Sequence, residues 1–577
     1  MNKKYIPIQL TPNYKQRHLR FDVIAGLTLF VMLVPQSMAY AMLAGLPPVM
    51  GLYASTIPLL IYAFFASSRH LSVGPVAITS LLVFSGVSAY AQPGTTDYIA
   101  TVLTLALMVG AIQLFLGLSK AGFIVKFIPQ SVMNGYVSAA AIVIGVSQLT
   151  HLLGIEIGNY LQVHLLLFEV FAKIEDIQLL TLAIGILSII GLIVLKKINP
   201  RLPNALLVVI ASIALVVLFR LHEGGVRIVG DIPTGFPGFA FPNVTYDTIQ
   251  MLFPMALTIA LLGFMESLAI GKTVAAKEHY KIDSNQELRA LGLTNMIGSC
   301  FHSFPVNGSF SRTAVNYQTG GVTQIASIVT AICVMITLLF FTSVFYYLPN
   351  AVLAAIIIVA VYKLIDLKEM RRLFRVKPLE GWIWVTTFGV TLFIGIQWGI
   401  IIGAIFTLLL LIKRSAKPNI IQLGYVDAEE TFRDIKRYPE AVTSEKVMVL
   451  RIDSTLHFAN ISFLEEKLQK LIKLHNETKW IIIDMSGVND IDTVSIEKLE
   501  EIIDHYEEER NIHVLFANMR GAIRETVDKV GWDVKYKQQQ NHLTLEQLLS
   551  EKGIRTYFNP ENQTIGETKE WVQDFMI

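Results

Sequence analysis

The chain has 577 residues, 53% of them hydrophobic and 16% charged, and its mean hydropathy is +0.53. That balance excludes an ordinary soluble globular protein and puts the chain in the membrane class. Its 47 Lys and Arg against 45 Asp and Glu leave a net charge of +2, so no basic excess points to nucleic acid, and only the distribution of charge is informative.

The first twenty residues are polar and basic, with no apolar stretch and no small-residue cleavage site, so no cleavable signal peptide is expected. From Val23 to Ile412 apolar runs recur, separated by Gly, Pro and short charged loops. They predict an α-helical membrane domain of fourteen spans. The first seven fall near 22–43, 48–66, 75–91, 97–118, 129–151, 177–195 and 203–220. The second seven fall near 247–275, 287–304, 310–321, 323–346, 350–366, 379–396 and 397–412. Alternate loops carry Lys120 and Lys126, then Lys196, Lys197 and Arg201, then Lys277 and Lys281. The same side receives Lys368, Arg371, Arg372, Arg375 and Lys377, and finally Lys413, Arg414 and Lys417. The opposite loops are mixed or acidic, with Glu156, Glu169, Glu175 and Asp176 before span six. This positive-inside bias places both termini in the cytoplasm.

Two spans are interrupted in the same way. The third is broken at Ser72-Val73-Gly74-Pro75-Val76-Ala77, and the third of the second half at Pro305-Val306-Asn307-Gly308-Ser309-Phe310-Ser311-Arg312-Thr313. Gly and Pro stop a helix, and the apolar run after each break is too short to cross a bilayer alone. Each reads as a half-helix starting near mid-membrane, its free N–H groups and positive dipole end facing a common cavity. Seven spans per half is an odd number, so the halves run in opposite directions, and matched breaks are the mark of inverted repeats around an anion site.

Glu266 lies deep in span eight. An ionised carboxylate there costs on the order of 3 kcal/mol or more, so the residue is protonated, paired or facing water. Such a group suits the pick-up and release of a proton; the structural alternative is a fixed bond to Arg312 or Lys272. Gly399 and Gly403 form a small-xxx-small pair of the kind that packs helices. Cys300 and Cys333 fall in spans, and the twelve His show no metal-ligand spacing. No nucleophile–base pair, phosphate loop or basic arm stands out, so no enzyme, cofactor, metal or nucleic-acid function is expected.

After Lys417 the texture changes. Val447–Asp453, Trp480–Met485 and Ile512–Asn518 are strand-like, while Ser462–Leu474, Val494–Glu508 and Arg520–Val530 have helical spacing and charged faces. Their alternation predicts a small soluble α/β domain. The expected division is a cytoplasmic segment 1–21, a membrane domain 22–417 and a cytoplasmic domain 418–577.

The run Pro35-Gln36-Ser37-Met38-Ala39-Tyr40-Ala41, continuing to Pro47-Pro48, resembles the SulP anion-permease family. So do Gly51-Leu52-Tyr53, Ser67-Ser68-Arg69-His70, Gly74-Pro75-Val76-Ala77, Gly230-Asp231-Ile232-Pro233-Thr234-Gly235-Phe236-Pro237, and Ser309-Phe310-Ser311-Arg312 with Thr319-Gly320-Gly321. The C-terminal part resembles a STAS domain. The resemblance implies a core of spans one to four and eight to eleven that carries the anion and slides against a gate of the remaining spans, in a homodimer of an integral membrane protein, expected in a bacterial plasma membrane.

On that reading the anion takes backbone N–H groups from Val76 and Ala77 on one side and from Ser311, Arg312 and Thr313 on the other, with Gln36 and Tyr40, one turn apart, as a third wall. Arg312 supplies positive charge; the bland alternative has it snorkel to an interface and Gln36 bond a neighbouring carbonyl. Glu266 corresponds to the family's acidic position beside the site, and span one lacks the second acid that some relatives carry. Thr493, after Asp484-Met485-Ser486-Gly487, occupies the hydroxyl position where regulatory STAS domains are phosphorylated; the plainer reading makes it a helix N-cap. The expected function is proton-coupled secondary transport of sulfate or another small oxyanion or dicarboxylate. The alternatives are sodium-coupled bicarbonate uptake, a nucleobase permease of the same seven-plus-seven architecture, and a passive anion channel or motor.

Overall fold

The computed structural model describes residue 14 and residues 16–123, 129–155, 162–199, 204–539 and 543–558. Most of the expected N-terminal segment, together with Lys126, Glu156, Arg201 and everything beyond 558, lies outside the described residues. Residues 1–407 and 408–577 form two compact units.

Among its described residues the first unit is built of helices and one short strand pair. Its first half runs α1 (Gln16–Leu43), α2 (Pro48–Tyr53), α3 (Ile57–Phe65), β1 (Val73–Gly74), α4 (Ala77–Val87), α5 (Thr96–Leu118) and α6 (Gln130–Ser147), then α7 (Leu149–Leu153), α8 (Val163–Ala172), α9 (Leu179–Ile198) and α10 (Asn204–Phe219). Its second half runs α11 (Tyr246–Lys277), α12 (Ser284–Ser299), β2 (Asn307–Gly308), α13 (Phe310–Gln318), α14 (Ile325–Phe340), α15 (Asn350–Val361), α16 (Leu367–Val376), α17 (Pro378–Phe393) and α18 (Ile396–Ala416). Among the described residues eight helical stretches are long and apolar enough to cross a bilayer by themselves.

Local chemistry sets the boundaries. Thr245 and Thr248 close a reciprocal capping box at the start of α11, and Asp283 caps α12 by accepting from the N–H groups of Asn285 and Gln286. Span two proves to be two helices, because the chain turns at Ala54–Thr56 before Pro58. The basic cluster Lys368–Arg375, expected in a loop, folds as the amphipathic helix α16, capped by Asp366. Gly399 and Gly403 do pack helices: a methyl added at either would meet Thr391 or Thr387 of α17 within 2.4 Å.

The second unit holds a five-stranded sheet in the order β4-β3-β5-β6-β7, from β3 (Ile420–Val426), β4 (Thr431–Asp434), β5 (Val447–Ile452), β6 (Trp480–Asp484) and β7 (His513–Ala517). The last three strands are parallel, and β3 pairs antiparallel with both β4 and β5. Alternate side chains of β6 go to opposite faces. Ile481 and Ile483 meet α19 (Ile461–Leu474), α20 (Thr493–Asp504), α21 (Gly521–Asp528) and α22 (Trp532–Lys535), whereas Ile482 joins Leu545, Leu548 and Leu549 of α23 (Leu545–Glu551). The N-cap of α20 is Asp492, not Thr493: its carboxylate accepts from the Ser495 N–H at 2.8 Å, and Thr493 is the exposed first residue of the helix.

Candidate functional site

The two breaks meet. β1 and β2 pair antiparallel, Val73 opposite Gly308 and Gly74 opposite Asn307, so α4 and α13 leave the pair in opposite directions with their N-termini beside it. α4 has 11 residues and α13 has 9, about 16 and 14 Å of helix, roughly half a bilayer core. Val76 and Ser309 are the N-caps, and neither side chain caps its helix. The first-turn N–H groups of both helices are therefore left for a ligand.

Buried bonds hold the crossing in place. Ser309 N–H donates to the Ser72 carbonyl at 2.9 Å, and Ser72 N–H donates to Thr313 Oγ1 at 3.0 Å. Asn307 Nδ2 donates to Thr79 Oγ1 at 2.8 Å, and Gly308 N–H to Ser267 Oγ at 2.8 Å. Asn295 brackets Val306, accepting from its N–H at 2.8 Å and donating to its carbonyl at 3.2 Å, and also donates to Gln113 Oε1 at 3.0 Å. Gly263 is required where α11 passes β2, since a methyl there would lie 2.1 Å from Asn307 Nδ2.

Arg312 lies under the crossing with no exposed surface, which rules out snorkelling to an interface. Its Nη1 donates to the Pro75 carbonyl at 2.8 Å, and its Nε and Nη2 have no partner among the described residues. A methyl at Gly74, whose φ is +150°, would come within 3.2 Å of Nη2. Tyr40 and Gln36 are 6% and 8% exposed, and Gln36 Oε1 is buried without a partner among the described residues. Tyr40, Glu266 and Arg312 lie within electrostatic reach of one another. Glu266 is half-buried, and among the described residues it forms no hydrogen bond or ion pair, with Arg312, Lys272 or any other group.

The structure thus brings together Tyr40, Val76, Ala77, Ser311, Arg312 and Glu266, with Gln36 buried one turn before Tyr40 on α1. Thr313 departs from the expectation: its N–H is engaged with the Ser309 carbonyl at 3.0 Å and its hydroxyl with Ser72, so it braces the break instead of offering a donor. The first-turn donors on that side are the N–H groups of Phe310, Ser311 and Arg312. Two further residues were missed. Ser309 occupies the N-cap position of α13 without a side-chain cap bond, its hydroxyl 3.3 Å from that of Ser311. Tyr136 on α6 is fully buried with an unpartnered hydroxyl within reach of the Glu266 charge. Nothing in an apolar span marks such a tyrosine in advance.

The sulfate permease family pattern matches residues 19–387, and the STAS domain pattern matches residues 438–543. The chain is 36% identical over 532 residues to sulfate transporter 4.1 of Arabidopsis thaliana, covering 89% of this chain and 77% of that one. It is 32% identical over 530 residues to a probable sulfate transporter of Mycobacterium tuberculosis, covering 90% and 94%. Its structure is similar to that of the murine solute carrier 26 family member A9 anion transporter in the inward-facing state, with a TM-score of 0.87, 27% identity, and 94% and 93% of the two chains covered.

Proposed function

We propose, from the premise that this chain belongs to the sulfate permease family of anion transporters and carries a STAS domain, that it moves sulfate or another small oxyanion or dicarboxylate together with a proton. The chain is an integral membrane transporter and not an enzyme. Sulfate is the named cargo of the plant relative and of the mycobacterial probable transporter. The observation that carries the reading is the pair of uncapped half-helix N-termini with two unpartnered guanidinium donors of Arg312 beside them. Backbone N–H groups and one buried cation favour a compact anion and read little else of its identity.

Glu266 is the proton carrier of this account. A carboxylate at membrane depth with no salt-bridge partner is expensive when ionised, so the loaded site crosses more readily with Glu266 protonated. The core, spans one to four and eight to eleven, then shifts against the gate and exposes the anion alternately to each side. Both termini are placed in the cytoplasm on the lysine and arginine bias of the loops, residues 22–417 form the transport domain, residues 418–577 the cytoplasmic domain, and the working unit is a homodimer in the plasma membrane. Thr493, exposed at the dipole-positive end of α20, is the candidate phosphorylation site.

The test is uptake of a labelled anion panel into proteoliposomes under separate proton and sodium gradients. Concentrative uptake of sulfate or a related oxyanion on an inward proton gradient alone is expected. Uptake that needs sodium, or that never exceeds equilibrium, overturns the proton symport.

A further inference from the structure

Between α10 and α11 the chain crosses one face of the membrane unit as an irregular strap. From Ile232 to Tyr246 it carries no charged residue; Asp231 and Asp247 flank it. An uncharged stretch of this length outside any span would ordinarily pack its aromatic rings inward. It does the reverse. Phe236 is 55% exposed, Phe239 71%, Phe241 69% and Tyr246 79%.

The strap is not loose. Gly230 N–H donates to the Tyr346 carbonyl at 3.0 Å, Gly235 N–H to Leu338 at 3.0 Å, and Ala240 N–H to Cys300 at 2.9 Å. His302 Nδ1 donates to the Gly238 carbonyl at 3.0 Å, and Thr104 Oγ1 to that of Asn243 at 3.3 Å. The backbone is thus fixed on α5, on the ends of α12 and α14 and on the segment before α15, while the rings stay largely exposed, Phe239 touching only the edge of Phe301 at 5.6 Å between centroids among the ring contacts of the described residues.

What covers them follows from α11. Tyr246, Ile249 and Phe253 recur at helical spacing on one face, with 79%, 39% and 48% exposure, on a span of 32 residues. Ile249 and Phe253 lie on the bilayer-facing side of a membrane helix, and Tyr246 continues their stripe directly into the strap. α11 ends at Lys277, so the strap occupies the membrane face opposite that lysine. Rings with an apolar body at this depth belong at the boundary between headgroups and acyl chains.

We propose that residues 236–246 form a lipid seat, in which Phe236, Phe239, Phe241 and Tyr246 insert at the headgroup–acyl boundary of the leaflet opposite Lys277. The partner is the lipid interface itself, held by apolar burial and not by headgroup charge, since the segment offers no cation.

Nitroxide labels test this. Phe239→Cys and Phe241→Cys are each made in a Cys300→Ala, Cys333→Ala background, spin-labelled, and reconstituted in phosphatidylcholine vesicles. Glu223→Cys, in the turn after α10 where the side chain is 62% exposed, serves as the aqueous control. Expected is a label at 239 or 241 relaxed several-fold more by oxygen than by a water-soluble nickel chelate, the reverse at 223, and no change when anionic lipid is added. Labels at 239 and 241 that favour the chelate overturn the proposal, because the strap then stands in water. Labels shielded from both reagents overturn it too, because a protein surface then covers the rings. The two positions are read independently, so one variant that folds is sufficient.

Discussion

Removing the Arg312 guanidinium separates binding from folding in an unusual way. The side chain is fully buried, yet only Nη1 is hydrogen-bonded, to the Pro75 carbonyl. Nε and Nη2 are left without partners, a desolvation cost that a merely structural arginine would not carry. If the anion fills those two positions, each charge-assisted bond contributes about 1.5–3 kcal/mol. Allowing that the bonds are not additive, their joint loss is about 2–4 kcal/mol, or roughly 30- to 1,000-fold in affinity. Arg312→Ala also leaves a cavity, so Arg312→Met, which keeps most of the volume, is measured beside it. The assay is the rise in melting temperature of purified protein with added sulfate, together with calorimetric titration. The account expects both variants to fold, Arg312→Met with stability close to the wild type, and both to lose most of the sulfate-dependent rise. Wild-type affinity in a folded Arg312→Met protein would falsify the placement of the anion beside this residue.

Three further perturbations follow. Ala77→Leu enlarges the first residue of α4 without changing charge; the added bulk should crowd an anion at the helix N-terminus and cut initial uptake at least tenfold, and normal uptake would move the site elsewhere. Glu266→Gln imitates the protonated carboxyl permanently; it should keep sulfate binding and exchange but lose accumulation driven by an inward proton gradient, and retained accumulation would leave Glu266 a structural residue. In the second unit, Asp492→Ala removes the cap of α20, at a cost of about 1 kcal/mol, seen as faster hydrogen exchange over residues 493–504. Burial pushes the Asp492 carboxyl up, but hydrogen bonds from Ser495 and from the Phe458 N–H outweigh it and hold the group below the ordinary aspartate range. The cap therefore stabilises above a pH of about 4 and its contribution is lost as pH falls through the lower folded value; a difference between variant and wild type that persists unchanged at lower pH would contradict this.

The breaks at Gly74-Pro75 and Asn307-Gly308 were legible because Gly and Pro act locally, on the residues that carry them. The soluble strands were legible because runs such as Trp480–Asp484 are apolar on both faces. What the sequence hid depends on partners far along the chain. Strands of two residues are too short to show a period, so the β1–β2 pairing has no signature. Asn295 and Gln113 look like isolated polar residues in apolar helices until folding brings them across 182 positions. Thr313 was misread because a free N–H and one engaged with Ser309 share the same motif, and only the helix start, at Phe310, tells them apart. The basic run Lys368–Arg375 reads as loop by charge, while its helical phase becomes evident only once Asp366 is seen capping it.

The claim on which the rest depends is that one anion sits between the N-termini of α4 and α13. Selenate, a sulfate mimic with an anomalous signal, locates it directly in crystals of the full chain. The account predicts a single strong peak within hydrogen-bond reach of the Ala77 and Ser311 N–H groups and of Arg312, absent in Arg312→Ala. Selenate bound at saturation anywhere else, with nothing between the two half-helices, would contradict it.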